Sequence, residues 1–277
     1  MRRDLDGGLG MMGRRSSRPT GLGLCLLFGA LLCPSASSGQ SSIRTVTTDG
    51  VTIHGDLHDT GLDAEAPLVV LFHQGGSSGR GEYGPIVPWL NDLGYRAVVF
   101  DQRSGGEVHG VANRTLNGLD PSIPSDYCDA YPDLQAALDY VVSRSLSQRP
   151  IIWGSSYSGA LVFRLAAENP DRVAGALAFS PASGPPMADC LARGWVGDIS
   201  VPLAVFRPSS EMDRESAQAQ RDLVIDAGLD FFEFPEGVHG SSMLVDDRTG
   251  QDMTSARDSV ASWLARYSGS PPQPGPG

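Results

Sequence analysis

The chain has 277 residues, of which 40% are hydrophobic and 19% are charged, with a formal net charge of −11 at pH 7. This composition excludes a disordered protein and is sufficient for one large α/β domain, while the acidic balance argues against nucleic acid or anionic lipid as a partner. All 21 basic residues are arginine, which excludes Schiff-base, Ser–Lys and P-loop lysine chemistry.

The N-terminal segment has the three parts of an export signal. Arg14, Arg15 and Arg18 precede an apolar run at residues 22–33, and small residues follow it. The run is too short for a comfortable membrane span. We therefore expect residues 1–38 to be a signal peptide and the protein to be exported, periplasmic or extracellular. Lipidation at Cys33, which would tether the N-terminus to a membrane, is the alternative.

Strand and helix patterns alternate after this segment. The turn pair Asp49-Gly50 lies between β-rich flanks, so residues 45–58 predict a hairpin. Apolar runs predict strands at residues 68–72, 96–101, 150–153, 173–180, 202–206 and 230–234. Apolar residues at helical spacing predict helices at residues 86–93, 134–142, 159–168, 215–227 and 253–267.

This alternation predicts an α/β fold. Near-continuous apolar strands are typical of a parallel sheet covered on both faces, so we expect a mostly parallel, doubly wound sheet with an antiparallel N-terminal edge hairpin. Residues 39–267 would form this single catalytic domain, and the Pro/Gly-rich residues 268–277 a disordered tail. Sites in such sheets form beyond the carboxyl ends of the strands, which directs attention to the residues after each strand.

Three serines follow the strand at residues 150–153, in the segment GSSYSG. A nucleophilic serine is exposed by a sharp strand-to-helix turn, which requires small residues two positions before and two positions after it. The flanks of Ser155 are a tryptophan and a tyrosine, whereas those of Ser156 are Gly154 and Ser158. Ser156 is therefore the predicted nucleophile. Ser158, whose flanks are also small, is the alternative.

This segment resembles the nucleophile elbow of the α/β-hydrolase family, and the resemblance extends over roughly residues 44–267. Ser158 replaces the second glycine of the strict G-x-S-x-G motif. The short spacing between the later strands leaves no room for a large cap domain, and the loop sequence LFHQGG resembles dienelactone-hydrolase-type members. Those members use a cysteine nucleophile, so the serine here favours a general carboxylesterase.

The family's chain order of nucleophile, acid and histidine implies the other members of a triad. Among the five histidines, His239 is the one that follows the elbow in sequence, in the loop after the last predicted strand. The acid is expected after the strand at residues 202–206. Glu211 is the preferred candidate there and Asp213 the alternative. The implied triad is Ser156, Glu211 and His239.

Two backbone N–H groups are needed to bind the oxyanion. The resemblance implies Tyr157, which follows the nucleophile, and Gly75 in the loop after residues 68–72, with Gln74 as the alternative. No CxxC pair or histidine cluster is present, so we expect no metal and no cofactor. Cys128 and Cys190 would remain after signal cleavage, either as a disulfide or as two buried free thiols.

A long polar, Gly-rich loop at residues 102–126 follows the strand at 96–101. Its first residues resemble a turn of the same family, in which Asp101 and Arg103 are expected to form a structural ion pair or to anchor the loop. We expect this loop and residues 187–198 to border a fairly open site.

Together these residues predict a serine hydrolase that cleaves small-molecule carboxylic esters through an acyl-enzyme intermediate. A peptidase or another acyl hydrolase with the same machinery is one alternative. A catalytically silent domain that binds a partner is another, and an acyltransferase is a third. The sequence does not name the acyl chain or the oligomeric state.

Overall fold

The computed structural model describes residues 40–268, so the predicted signal peptide and residues 269–277 of the predicted tail lie outside the described residues. The strands of this range are β1 (Gln40–Val46), β2 (Thr52–His58), β3 (Leu68–Phe72), β4 (Arg96–Asp101), β5 (Glu107–Val108), β6 (Val111–Ala112), β7 (Ile151–Ser155), β8 (Gly175–Phe179), β9 (Leu203–Pro208) and β10 (Asp230–Phe234). Its helices are α1 (Gly79–Tyr83), α2 (Ile86–Asp92), α3 (Tyr131–Ser143), α4 (Tyr157–Glu168), α5 (Glu215–Asp226), α6 (Asp246–Thr249) and α7 (Thr254–Tyr267).

Eight of these strands form the central sheet, in the order β1-β2-β4-β3-β7-β8-β9-β10. β1 pairs with β2 and β2 with β4 in antiparallel register, while the pairs from β4 to β10 are parallel. The predicted fold class is therefore confirmed, including the antiparallel hairpin at the N-terminal edge. All the parallel strands end at the same edge of the sheet, and the candidate residues follow them there.

The central strands read as continuous apolar runs because both faces of the sheet are covered. Val70 and Ile152 belong to a core cluster that contains residues of α3 and α4. Their neighbours Leu71 and Trp153 point to the opposite face and pack in a second cluster with α2 and α7. Successive side chains of a strand alternate between the faces, so burial on both sides removes the polar residues that normally alternate.

The structure adds elements that the sequence patterns do not predict. Helix α1 has only five residues and the β5–β6 ribbon has two residues in each strand, so neither is long enough to show a periodicity. The ribbon lies within the loop at residues 102–126. Helix α4 begins at Tyr157, two residues before the predicted start. That difference matters, because it places the helix start directly after Ser156.

Asp101 and Arg103 anchor the long loop, but not by pairing with each other. Arg103 donates to Asp133 at 2.7 Å and to Asp49 at 2.8 Å. Asp101 accepts from Nε of Arg114, further along the same loop, at 2.9 Å. The two residues thus fix the loop to different parts of the domain.

Cys128 and Cys190 are joined by a disulfide, with 5.6 Å between their Cα atoms. The bond connects the segment after the long loop to the segment after β8, which are 62 residues apart in sequence. Among residues 40–268, none of the helices has the length and apolar character needed to cross a bilayer.

Candidate active site

Ser156 lies at the sharp turn between β7 and α4. Its backbone has φ 60° and ψ −115°, a strained conformation for a residue with a side chain. The turn brings strand and helix so close that a Cβ at Gly154 would lie 2.3 Å from the carbonyl oxygen of Ser158. Gly154 is therefore sterically required, as the elbow geometry predicts. The Ser156 side chain is half-buried at the carboxyl edge of the sheet.

Ser158 has a structural position instead. Its side chain is fully buried, and its hydroxyl accepts the Ser155 N–H at 2.8 Å. The same hydroxyl lies 2.7 and 2.9 Å from the carbonyl oxygens of Phe72 and His73. These bonds fasten the turn to the end of β3. They leave Ser158 enclosed, so Ser156 is the serine of the two that faces the site.

His239 and Glu211 meet beyond the ends of two neighbouring parallel strands. Glu211 ends the 3₁₀ turn Ser209–Glu211 after β9, and His239 lies in the loop after β10. Nδ1 of His239 is 2.5 Å from Oε1 of Glu211. The histidine side chain is 49% exposed and the glutamate is buried. Asp213, the alternative acid, is exposed and makes no contact with the imidazole.

The loop that carries His239 is fastened to the elbow. Gly240 N–H donates to the Ser180 hydroxyl and Ser241 N–H to the Ser155 hydroxyl, each at 3.0 Å. Gly240 has φ 72°, and a Cβ there would lie 2.5 Å from Oγ of Ser155. Within residues 40–268, neither the Ser156 hydroxyl nor Nε2 of His239 makes a hydrogen bond. Such contacts are often long in free enzymes and tighten when substrate binds.

Glu211 is held as a carboxylate by its surroundings. Burial raises the pKa of the group, but the contacts with His239 and Arg207 outweigh it and hold the pKa below its usual range. Nη1 of Arg207 donates to Oε2 of Glu211 at 2.5 Å. Arg207 is not among the residues predicted from the sequence. Its signal is a charge at the end of an otherwise apolar strand, four residues before the acid.

The two predicted oxyanion donors are backbone N–H groups at Tyr157 and Gly75. Tyr157 is the first residue of α4, so its N–H has no acceptor within the helix. The N–H of Gln74, the alternative donor, is engaged by Oε2 of Glu82 at 2.7 Å. A Cβ at Gly75 would lie 2.5 Å from the hydroxyl of Tyr127, so a larger residue there would have to displace the Tyr127 ring. Of these two loop N–H groups, only that of Gly75 has no acceptor within residues 40–268.

Glu82 is a buried carboxyl beneath the loop that carries Gln74. Its Oε1 has no hydrogen-bond partner within residues 40–268. Burial raises the pKa of Glu82 above its ordinary value, against the lowering effects of Ser155 and Gln74. The sequence offered no signal for it, because α1 is too short to show which of its faces is buried.

A cavity of about 620 Å³ borders Tyr127 and also Gly76, in the loop at residues 73–78 that carries the predicted oxyanion donor and is called here the oxyanion loop. Residues of the long loop and of the segment after β8 line it, including Asp126, Asp129 and Asp189. Within residues 40–268, no three His, Cys, Asp or Glu side chains are grouped closely enough to hold a metal ion. The two segments expected to border the site both contribute to the lining of this cavity, whereas Ser156, Glu211 and His239 do not.

Comparison with known proteins agrees with this architecture. A family model described as alpha/beta hydrolase fold matches residues 67–197. An esterase of Pyrococcus furiosus is 18% identical with a TM-score of 0.64, over 84% of this chain and 92% of that chain. The chain has the α/β-hydrolase fold. At this level of identity, the structural likeness shows the fold alone.

Other solved structures with the α/β-hydrolase fold are similar to the chain to the same degree. A dienelactone hydrolase from Anabaena variabilis is 15% identical with a TM-score of 0.60, over 83% of this chain and 99% of that chain. An acylaminoacyl peptidase of Pyrococcus horikoshii is 15% identical with a TM-score of 0.59, over 82% of this chain and 41% of that longer chain. No curated protein sequence matches this α/β-hydrolase-fold chain significantly.

Proposed function

We propose that this protein is a serine hydrolase that cleaves carboxylic esters, with Ser156 as nucleophile, His239 as general base and Glu211 as its partner. The observation that carries the proposal is the backbone of Ser156, which has a positive φ at the strand-to-helix turn. Strain of this kind costs about 1–3 kcal/mol and clusters at functional sites. The His239–Glu211 contact at the same edge of the sheet supports it.

In the first step, Nε2 of His239 takes the proton of the Ser156 hydroxyl as Oγ bonds to the ester carbonyl carbon. The carbonyl electron pair moves to oxygen, and the N–H groups of Tyr157 and Gly75 donate to that oxyanion. Glu211 binds Nδ1 of the imidazole, which fixes its tautomer and offsets the charge of the imidazolium.

The tetrahedral intermediate then collapses, and the bond between carbon and the alcohol oxygen breaks. His239 gives its proton to the leaving alcohol, so the acyl group stays on Ser156. Water repeats the sequence: His239 takes its proton, the hydroxide bonds to the carbonyl carbon, and Ser156 leaves with the proton. The products are one carboxylic acid, one alcohol and the free enzyme.

Amide hydrolysis is a second candidate, because an acylaminoacyl peptidase has the same fold. The same residues would then have to protonate a leaving amine instead of an alcohol. Peptide and ester substrates of matched acyl group separate the two activities directly. Added alcohol that outcompetes water would indicate acyl transfer.

The test is a panel of model esters with the parent and Ser156→Ala, with Ser259→Ala, at a serine of α7 that is half-buried like Ser156, as the matched control. We expect Ser156→Ala to lower kcat on the order of 10⁶-fold and Ser259→Ala to leave it unchanged. A fluorophosphonate probe should label the parent at Ser156. Hydrolysis by Ser156→Ala within tenfold of the parent would refute the proposal, and a parent that neither reacts nor labels would favour a silent binding domain.

We further propose that the protein acts after export, with residues 1–38 removed. The Cys128–Cys190 disulfide suits an oxidising compartment, since disulfides are rare in the cytosol. N-terminal sequencing of the protein recovered outside the cytoplasm tests this, with a mature N-terminus at Gly39 as the expected result. Recovery of the full-length chain with reduced cysteines in the cytoplasm would contradict it.

A further inference from the structure

We propose that Arg207 is a positioning residue that keeps His239 unprotonated, and therefore active as a base, under mildly acidic conditions. It does so through the Glu211 oxygen that the imidazole does not use. The inference rests on the proposed function, because it takes His239 as the general base.

Arg207 binds the far side of the triad acid from inside the protein. Its side chain is 3% exposed at the end of β9, and its Nη1 donates to Oε2 of Glu211 at 2.5 Å. Its Nη2 donates to Oε1 of Gln220 at 2.6 Å and to the carbonyl oxygen of Pro181. The guanidinium is thus fixed by three separate parts of the chain. Glu211 is shared between this cation and the imidazole.

The charge of this group decides how readily the imidazole gains a proton. Together, Arg207 and Glu211 are neutral, so protonation of His239 creates a net positive charge in a partly buried site. Without Arg207, the buried Glu211 would be an uncompensated anion, and protonation of His239 would neutralise it. A low-dielectric site favours the protonation state with no net charge. With Arg207 present, that state has a neutral imidazole, so Arg207 disfavours protonation of His239.

Other charged groups act on this cluster from the elements around it. Arg248 of α6 and the His239 ring both lower the pKa of the buried Glu82 of α1. The charge of Arg214, just before α5, lowers the pKa of Arg207. Within residues 40–268, Glu211 has one arginine, Arg207, in hydrogen-bond contact, besides the His239 ring. Removal of Arg207 therefore changes the charge next to the acid most directly.

The decisive measurement is the pH dependence of kcat/KM, whose acid limb reports protonation of the base in the free enzyme. We expect Arg207→Met to move this limb to higher pH by about one unit, a tenfold loss of kcat/KM on its acid side. Arg207→Lys keeps the charge and should keep the limb of the parent. A merely structural role would lower activity at all pH values alike and leave the limb in place.

A second variant tests the charge without removing the arginine. Gln220→Glu is nearly isosteric and places a carboxylate at Nη2 of Arg207, so it should also move the acid limb to higher pH. Ala219→Glu adds the same charge at an exposed position of the same helix, so it is the control and should leave the limb unchanged. If Arg207→Met does not fold, Gln220→Glu decides the question.

The same variants have a readout that needs no substrate. NMR titration of the His239 ring should show a higher midpoint in Arg207→Met and in Gln220→Glu than in the parent. Unchanged midpoints and limbs in both variants would overturn this inference while leaving the esterase proposal intact. A parent without any hydrolytic activity would refute the esterase proposal, and the titration would still test the effect of Arg207 on the imidazole.

Discussion

Two buried ionisable side chains support opposite sides of the candidate site, and their surroundings compensate them differently. Arg207, beneath the acid, donates to Glu211, Gln220 and the Pro181 carbonyl. Glu82, beneath the oxyanion loop, accepts the N–H of Gln74 on one oxygen, while its other oxygen has no partner within residues 40–268. Burial disfavours the charged form of both side chains, so their hydrogen-bond and ion-pair partners decide whether each one stays charged. Arg207 and Glu211 form an ion pair on the acid side of the site, whereas burial on the oxyanion side favours the neutral form of Glu82.

The largest expected effect lies on the acid side. Glu211→Gln keeps the size of the side chain but removes the charge that, in the proposed mechanism, holds the imidazole tautomer. We expect kcat/KM to fall on the order of 10⁴-fold, as for the equivalent change in other triads. The measurement is ester hydrolysis at the pH optimum of the parent. Asp213→Asn, at the exposed alternative acid, is the control and should stay near the parent. A reversed ranking of the two variants would assign the acid to Asp213.

An intermediate effect is expected at Gly240, where the two sides of the site meet. A Cβ there would lie 2.5 Å from Oγ of Ser155 and 2.8 Å from Oε1 of Gln74, so Gly240→Ala must shift Ser155 Oγ, the group that fastens the loop carrying His239, or the loop itself. We expect a fall in kcat of about 10²-fold, because a shift of about 1 Å has that effect on a catalytic group. Steady-state kinetics measure it.

Gly250→Ala is the control for Gly240→Ala, because it separates the clash from backbone strain. Gly250 has nearly the same φ, 70°, but a Cβ there would meet nothing within 4 Å. Gly250→Ala should therefore lower stability with kcat unchanged. Equal loss of kcat in the two variants would mean that strain alone, and not contact with the elbow, explains the effect.

The smallest expected effect is on stability at the oxyanion side. Burial raises the pKa of Glu82 above its value of 4.5 in an unfolded chain, so ionisation of Glu82 destabilises the folded state. Glu82→Gln removes this penalty because its amide carries no charge. At neutral pH we expect Tm to rise by about 2–4 °C, the change that about 1 kcal/mol produces in a domain of this size.

The sign of the pH dependence tests the cause of that gain. As the pH falls through the raised pKa toward 4.5, Glu82 becomes protonated in the folded parent, and the parent loses its disadvantage. The Tm difference between Glu82→Gln and the parent should therefore shrink with acidification and vanish below pH 4.5. Glu65→Gln, at an exposed glutamate, should show no such trend. A difference that stays constant with pH would mean that Glu82 remains ionised when buried.

Local patterns predicted most of the fold. The bounds of β3, β4 and β10 coincide with those read from the sequence, because each is a short apolar or aromatic run with polar or turn residues on either side. The position of Ser156 could also be read locally, because the elbow imposes a steric rule on its near neighbours. Short elements such as α1 and the β5–β6 ribbon could not be read in this way, since periodicity needs more residues than they contain.

The hydrogen-bond partners of the site residues could not be predicted from local sequence patterns. Ser155 and Ser241 are 86 residues apart in sequence, and Gln74 and Glu82 meet only because α1 folds back under its own loop. Ser158 was read as an alternative nucleophile, and only its contacts with the end of β3 give it a structural position. Arg207 looked like the first polar residue after a strand until its burial was known.

The sequence by itself determined the order of most strands and helices and the strained turn at Ser156. These features depend on residues near one another in the chain, where spacing and side-chain size act directly. The regions expected to supply an acid and a histidine followed from the resemblance to a family with a fixed chain order. Tertiary structure alone decided which acid contacts His239, which loop amide remains free and which charges are buried. Hydrogen bonding and desolvation depend on distances between strand ends, and only the folded sheet sets those distances.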